Sequence, residues 1–125
     1  MARQIMILES QRAEMLANWE RGCELAAADR DAEHDPRPVV KLFNPCGAQT
    51  WLLTELIEYE HDTVAFGLCD LGQGFPELGY VSLSELAEVK LMGGALYIER
   101  DEHFTASKTL SQYAEAARIA RRIEA

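Results

Sequence analysis

Between Lys41 and Leu86 the chain reads KLFNPCGAQTWLLTELIEYEHDTVAFGLCDLGQGFPELGYVSLSEL, and this stretch sets the fold class. From Thr50 to Tyr59 apolar and polar residues alternate. Trp51, Leu53, Ile57 and Tyr59 fall on one face of a strand, and Leu52, Thr54, Leu56 and Glu58 on the other. Glu60-His61-Asp62 turns the chain into a partner strand, Thr63 to Asp70, with Val64, Phe66 and Leu68 inward. The glycines of GLCDLGQGFPELG read as tight turns and a loop. A short strand, Leu78 to Val81, follows, and Ser82-x-x-Glu85 is a capping box that predicts a helix from Leu83 to about Lys90.

The flanks complete the pattern. Met1 to Leu8 is a short apolar lead-in, an edge strand or a staple over the first helix. Ser10 is the expected N-cap of that helix, whose stripe is Met15, Leu16, Trp19, Cys23 and Ala26. Gly22 weakens it by ~1 kcal/mol relative to Ala without ending it. Asp29 to Pro38 is a polar loop broken by two prolines. Val39 to Phe43 is a strand closed by the Asn44-Pro45-Cys46-Gly47 turn, and Ala95 to Arg100 is the last strand. A C-terminal helix starts near Leu110, with Leu110, Tyr113, Ala114 and Ala117 inward and Arg118, Arg121 and Arg122 at its cation-favouring end. The expected class is α+β in one domain over 1–125: a mostly antiparallel sheet of about four to six strands, with an N-terminal helix, a short capped helix and a C-terminal helix packed on one face.

Charge narrows the function classes. Leu53 to Phe104 carries eleven acids against Lys90 and Arg100, which accounts for the whole formal net charge of −9. Such a region repels a phosphate backbone, so direct nucleic-acid binding is not expected, whereas a basic protein or nucleoprotein complex is a natural partner. No apolar run is long enough for a membrane span, and the short run before Glu9 does not make a secretory signal. Three widely spaced cysteines (Cys23, Cys46, Cys69) argue against a disulfide framework and for the cytoplasm.

The pieces KLFNP, TWLLTE, VAFGLCDLG, PELGYVSLSEL and LYIERDEHF, in this order, resemble a bacterial domain-of-unknown-function family, DUF2958, over roughly Lys41 to Phe104. The resemblance implies single-domain proteins carried by plasmids, integrative elements and phages. It supplies no catalytic residues and no cofactor.

Glu55 stands out among single residues. Strict alternation puts its carboxylate on the core-facing side with Trp51, Leu53 and Ile57, where it must be paired or hydrogen-bonded. Arg100, after Leu96 and Ile98, is the mirror case, so a structural Glu55–Arg100 pair is expected. Glu55, Asp70, Glu99, Asp101 and His103 are the residue types of a two-metal nuclease. They lack metal-ligand spacing, so no metal and no cofactor is expected. Cys46 has no base at catalytic spacing, Cys69 reads as core, and His34 and His61 read as solvated loop residues. The glycine-rich stretch fits no phosphate-binding pattern, and aromatic base stacking lacks a basic groove.

The expected function is a non-enzymatic, acidic accessory protein of mobile DNA. It would bind a basic host protein or nucleic-acid-processing complex, in one form as an anti-defence inhibitor that mimics nucleic-acid charge. The expected contact residues are Glu58, Glu60, Asp62, Asp70, Phe75 and Glu77. The alternatives are a metal-dependent nuclease or other hydrolase of DNA processing, and a small-ligand binder with a pocket lined by Trp51, Phe66 and Tyr80.

Overall fold

The computed structural model describes residues 4–125. Its centre is a five-stranded antiparallel sheet built from β1 (Val40–Phe43), β2 (Thr50–Glu58), β3 (Thr63–Asp70), β4 (Glu77–Ser82) and β7 (Glu99–Arg100). The spatial order is β4-β3-β2-β1-β7. Consecutive strands pair through short turns, as the turn residues dictate. β5 (Lys90–Leu91) and β6 (Leu96–Tyr97) form a separate small hairpin. The single strand expected from Ala95 to Arg100 is thus two pieces, and only the second joins the sheet.

Helices cover both faces, not one. On the first face α1 (Glu9–Ala27) and α2 (Leu83–Glu88) pack with Met15, Val40, Leu42, Trp51, Leu53, Leu56, Ala65, Leu83, Leu86 and Ile98 in one cluster. On the second, α3 (Leu110–Ala120) packs Leu110, Tyr113 and Ala117 over Leu52 and Leu68, with Phe66 beside them. Each large aliphatic so buried contributes roughly 1.5–3 kcal/mol. The physical reason lies in β2: six consecutive residues, Trp51 to Leu56, are buried, as only a strand covered on both sides allows.

Alternation along β2 is broken once. The register with β3 slips between Leu53 and Glu55, leaving Thr54 as the extra residue of a bulge. Leu56 therefore joins Trp51 and Leu53 in the α1-side cluster, although strict alternation sets it on the opposite face. Asn18 of α1 satisfies the bulge, its Nδ2 donating to the Thr54 carbonyl at 2.9 Å.

Local signals place the helix ends. α2 begins where the Ser82–Glu85 box requires, with the Glu85 N–H donating to Ser82 Oγ at 3.2 Å. α1 starts at Glu9 with Leu8, not Ser10, as N-cap, and the Leu8 N–H donates to Gln11 Oε1 at 2.9 Å. Its buried stripe runs through Met15 and Leu25, while Cys23 and Ala26 are exposed. Of the lead-in, residues 1–3 lie outside the described residues. Residues 4–8 form no strand; Met6 and Ile7 pack against the core, in the manner of the staple. Gly72 and Gly74 take positive φ in the β3–β4 turn, as expected, but Gly67 and Gly79 sit inside strands, directly opposite one another.

Candidate functional site

Glu55 is 5% exposed and is paired, but not with Arg100. Its Oε1 lies 2.5 Å from His34 Nε2, and its Oε2 accepts from Thr54 Oγ1 at 2.5 Å. Arg100 lies across β1 on the far strand, opposite Leu42, with Nη1 donating to the Ile5 carbonyl at 3.4 Å and Nη2 4.0 Å from Glu102. Burial was legible; the partner was not, because the bulge re-aims Glu55 and a loop supplies the histidine. His34 is accordingly not a solvated loop residue. Gly22 makes room for it: a Cβ there would stand 2.9 Å from His34 Nε2. The unexplained glycine in α1 was the available signal.

The next residue, Asp35, ties the same loop to α3, accepting from the Ser111 N–H at 2.9 Å and from the Ser111 hydroxyl. Partial burial pushes its carboxyl up. The bonds from Ser111 and Thr109 and the nearby His34 nonetheless hold it below the usual carboxylate range. Above the pair lies a shallow depression of about 280 Å³ lined by Asn18, Arg21, Leu25, Glu33, His34 and Asp35. The His34–Glu55 contact and the Asp35–Ser111 bonds together make the pair a clamp between loop, β2 and α3.

The expected contact residues divide into two groups at opposite ends of β3, roughly 25 Å apart for eight residues at strand rise. At one end Glu60 is exposed, while Glu58 is already neutralised by Arg12 at 2.7 Å. Asp62 is consumed in caps: it accepts from Ser82 Oγ at 2.6 Å, the Thr63 N–H at 2.7 Å and the Ser84 N–H at 3.4 Å. At the other end Phe75 is 74% exposed and Glu77 is free to solvent. Asp70 is a correction: it is 3% exposed and accepts from the N–H groups of Gly72 at 2.8 Å and Ile123 at 3.0 Å, so it fixes a turn and cannot meet a partner.

Asp62 yields a pH prediction. The Ser82 hydroxyl, ahead of the other groups, lowers its carboxyl below the usual range. The unfolded chain then binds more protons just below about pH 4, so this contribution is complete above that pH and is lost as pH falls through the depressed value. Asp62→Asn is expected to flatten the acid limb of a Tm-versus-pH curve below about pH 4. Parallel limbs for the two proteins would refute the assignment.

The alternative sites do not assemble. Among the described residues no group of three His, Cys, Asp or Glu side chains is placed to hold a metal. Asp101 pairs with Lys41 at 3.5 Å and caps the His103 N–H, remote from Glu55. Burial raises the Cys69 thiol to about 11, which keeps it protonated and unreactive. Trp51 lies in the α1-side cluster, whereas Phe66 meets Tyr80 in a tilted ring contact, centroids 4.9 Å apart, beside the α3-side cluster. The three cannot line one pocket. No described helix is long and apolar enough to cross a membrane.

What stands out on the surface is the β4 side. Residues 42–89, which include β2, β3, β4 and α2, contain no lysine or arginine. On and beside β4, Leu71, Phe75, Leu78 and Tyr80 are exposed, and Glu77, Glu85 and Glu88 bracket them in solvent. A family model described as a protein of unknown function (DUF2958) matches residues 6–124, a longer span than the central motifs alone. Comparisons with curated proteins and with solved structures found no match.

Proposed function

We propose that this chain, which belongs to the DUF2958 family, is a non-enzymatic accessory protein that binds a basic protein or nucleoprotein complex through the β4 side of its sheet. One observation carries the reading: the 48 residues from 42 to 89, β4 and α2 among them, contain no lysine or arginine, and the β4 side presents apolar side chains between solvent-exposed acids. Apolar contact supplies affinity, and the acids supply steering and exclude acidic competitors. A partner held this way is covered where it would otherwise meet a phosphate backbone. That is the form an anti-defence inhibitor encoded on mobile DNA would take.

The test is retention of basic proteins from a bacterial lysate at low salt, followed by a salt gradient. A discrete nucleic-acid-binding complex is expected to be retained and released by about 0.5 M salt, where the Debye length shrinks to a few ångströms. Glu60→Lys, Glu77→Lys and Glu85→Lys should each weaken retention roughly two- to five-fold, as exposed charges do. Labelled DNA should not bind. Retention that ignores both salt and these reversals would sink the proposal.

A further inference from the structure

The two edges of the sheet are treated differently. β7 is two residues long, and the Gln4 side chain occupies its edge: Nε2 donates to the Arg100 carbonyl at 2.9 Å while Oε1 accepts the Arg100 N–H at 2.7 Å. A side-chain amide there stands in for the next strand. β4, the other terminal strand, has six residues in unbroken register with β3, from Val64↔Ser82 to Cys69↔Glu77. It carries no lysine, proline or bulge, the usual means of blunting an edge against further pairing. One of its faces offers Leu78 and Tyr80, and on the other a Cβ at Gly79 would meet nothing within 4 Å.

We infer that β4 is the site of strand addition: the partner contributes an extended segment that pairs with the outer edge of β4 as a sixth strand. The occupant is a basic segment rather than a second copy of this chain. Glu77 opens the strand, Glu85 and Glu88 follow its end, and no cation of residues 42–89 opposes them. Main-chain pairing then gives affinity, Leu78 and Tyr80 select apolar side chains at alternate positions, and the flanking acids select Lys or Arg at the segment's ends. The inference rests on the binding role proposed above and names its mode.

The experiment uses the whole chain and a fluorescent peptide of about ten residues, alternating valine and threonine with two arginines at each end. Two further peptides carry N-methyl groups on alternate amides, in the two opposite phases. Unmethylated peptide is expected to bind and to slow hydrogen exchange at alternate β4 amides. One methylation phase should weaken binding at least roughly ten-fold, since it deletes the pairing donors, and the other should leave it unchanged. Equal binding of both phases, or protection elsewhere than β4, would overturn strand addition while leaving charge-driven binding in place. Failure of the peptide with β4 exchange unchanged in the presence of a retained basic partner would do the same. Failure of both peptide and lysate partners would overturn the two readings together. Protection of the β4 amides in the protein alone, with dimers in sedimentation, would assign the edge to a second copy and refute the basic segment.

Discussion

Gly67→Ala is expected to cost about 3 kcal/mol or more, a large share of a typical domain's stability, because overpacking against backbone has no side chain to push aside. A Cβ built on Gly67 would stand 1.9 Å from the Leu52 carbonyl oxygen and 2.8 Å from Leu53 Cα. Those atoms belong to the central strand just before its bulge, where the slip in register draws β2 close over β3. The control is the glycine directly across the next ladder. Gly79 pairs with Gly67, yet a Cβ there meets nothing within 4 Å. Gly79→Ala should therefore be neutral or stabilise by a few tenths of a kcal/mol through the unfolded chain's lost freedom. Urea denaturation of both variants measures the contrast. A Gly67→Ala midpoint close to that of the unaltered protein would show that β2 is not so closely laid over β3.

The four longer strands, β1 to β4, were legible because their signals are local, whereas the short β5, β6 and β7 were not separated. Thr63–Asp70 and Thr50–Glu58 follow from alternation and turn residues, and the Ser82 capping box placed α2 at Leu83. What alternation could not supply is the bulge. One inserted residue, Thr54, exchanges the faces of everything after it, so strict alternation puts Leu56 and Glu55 on the wrong sides. The two-sided cover of the sheet shows in the unbroken burial of Trp51 to Leu56, which Thr54 and Glu55 disguise in the sequence.

The surface was half legible. The charge excess and the exposure of Phe75 and Glu77 agree with the sequence, but counting acids does not reveal which carboxylates are already in use. Asp70 and Asp62 accept backbone and hydroxyl protons within a few residues or across the fold, and Glu58 finds Arg12 from α1. Such pairings depend on tertiary proximity, which residue spacing alone does not encode. The same limit applies to His34, separated by 21 residues from Glu55.

His34→Ala is expected to destabilise the fold by about 2–3 kcal/mol, since removing one member of a buried pair strands the other. Glu55 would keep only the Thr54 hydroxyl as a partner in a site 5% exposed to water. The figure falls below that for a fully enclosed pair because the His34 side chain remains 18% accessible. Glu55→Leu added to His34→Ala should recover most of the loss, as apolar replacement of both partners usually does. Gly22 provides the independent readout. Alanine at an interior helix position gains about 1 kcal/mol over glycine, but beside His34 its methyl would press on the ring at 2.9 Å. Gly22→Ala should thus gain nothing in the native protein and about 1 kcal/mol in the His34→Ala background, a coupling that a double-mutant cycle isolates. If Gly22→Ala has the same effect in both backgrounds and His34→Ala costs under about 1 kcal/mol, the loop is not clamped through this pair. The full coupling would instead identify the helix glycine, the loop histidine and the bulge carboxylate as one unit. It would hold residues 28–39 between the α1 and α3 layers, with the Asp35–Ser111 bonds completing the attachment.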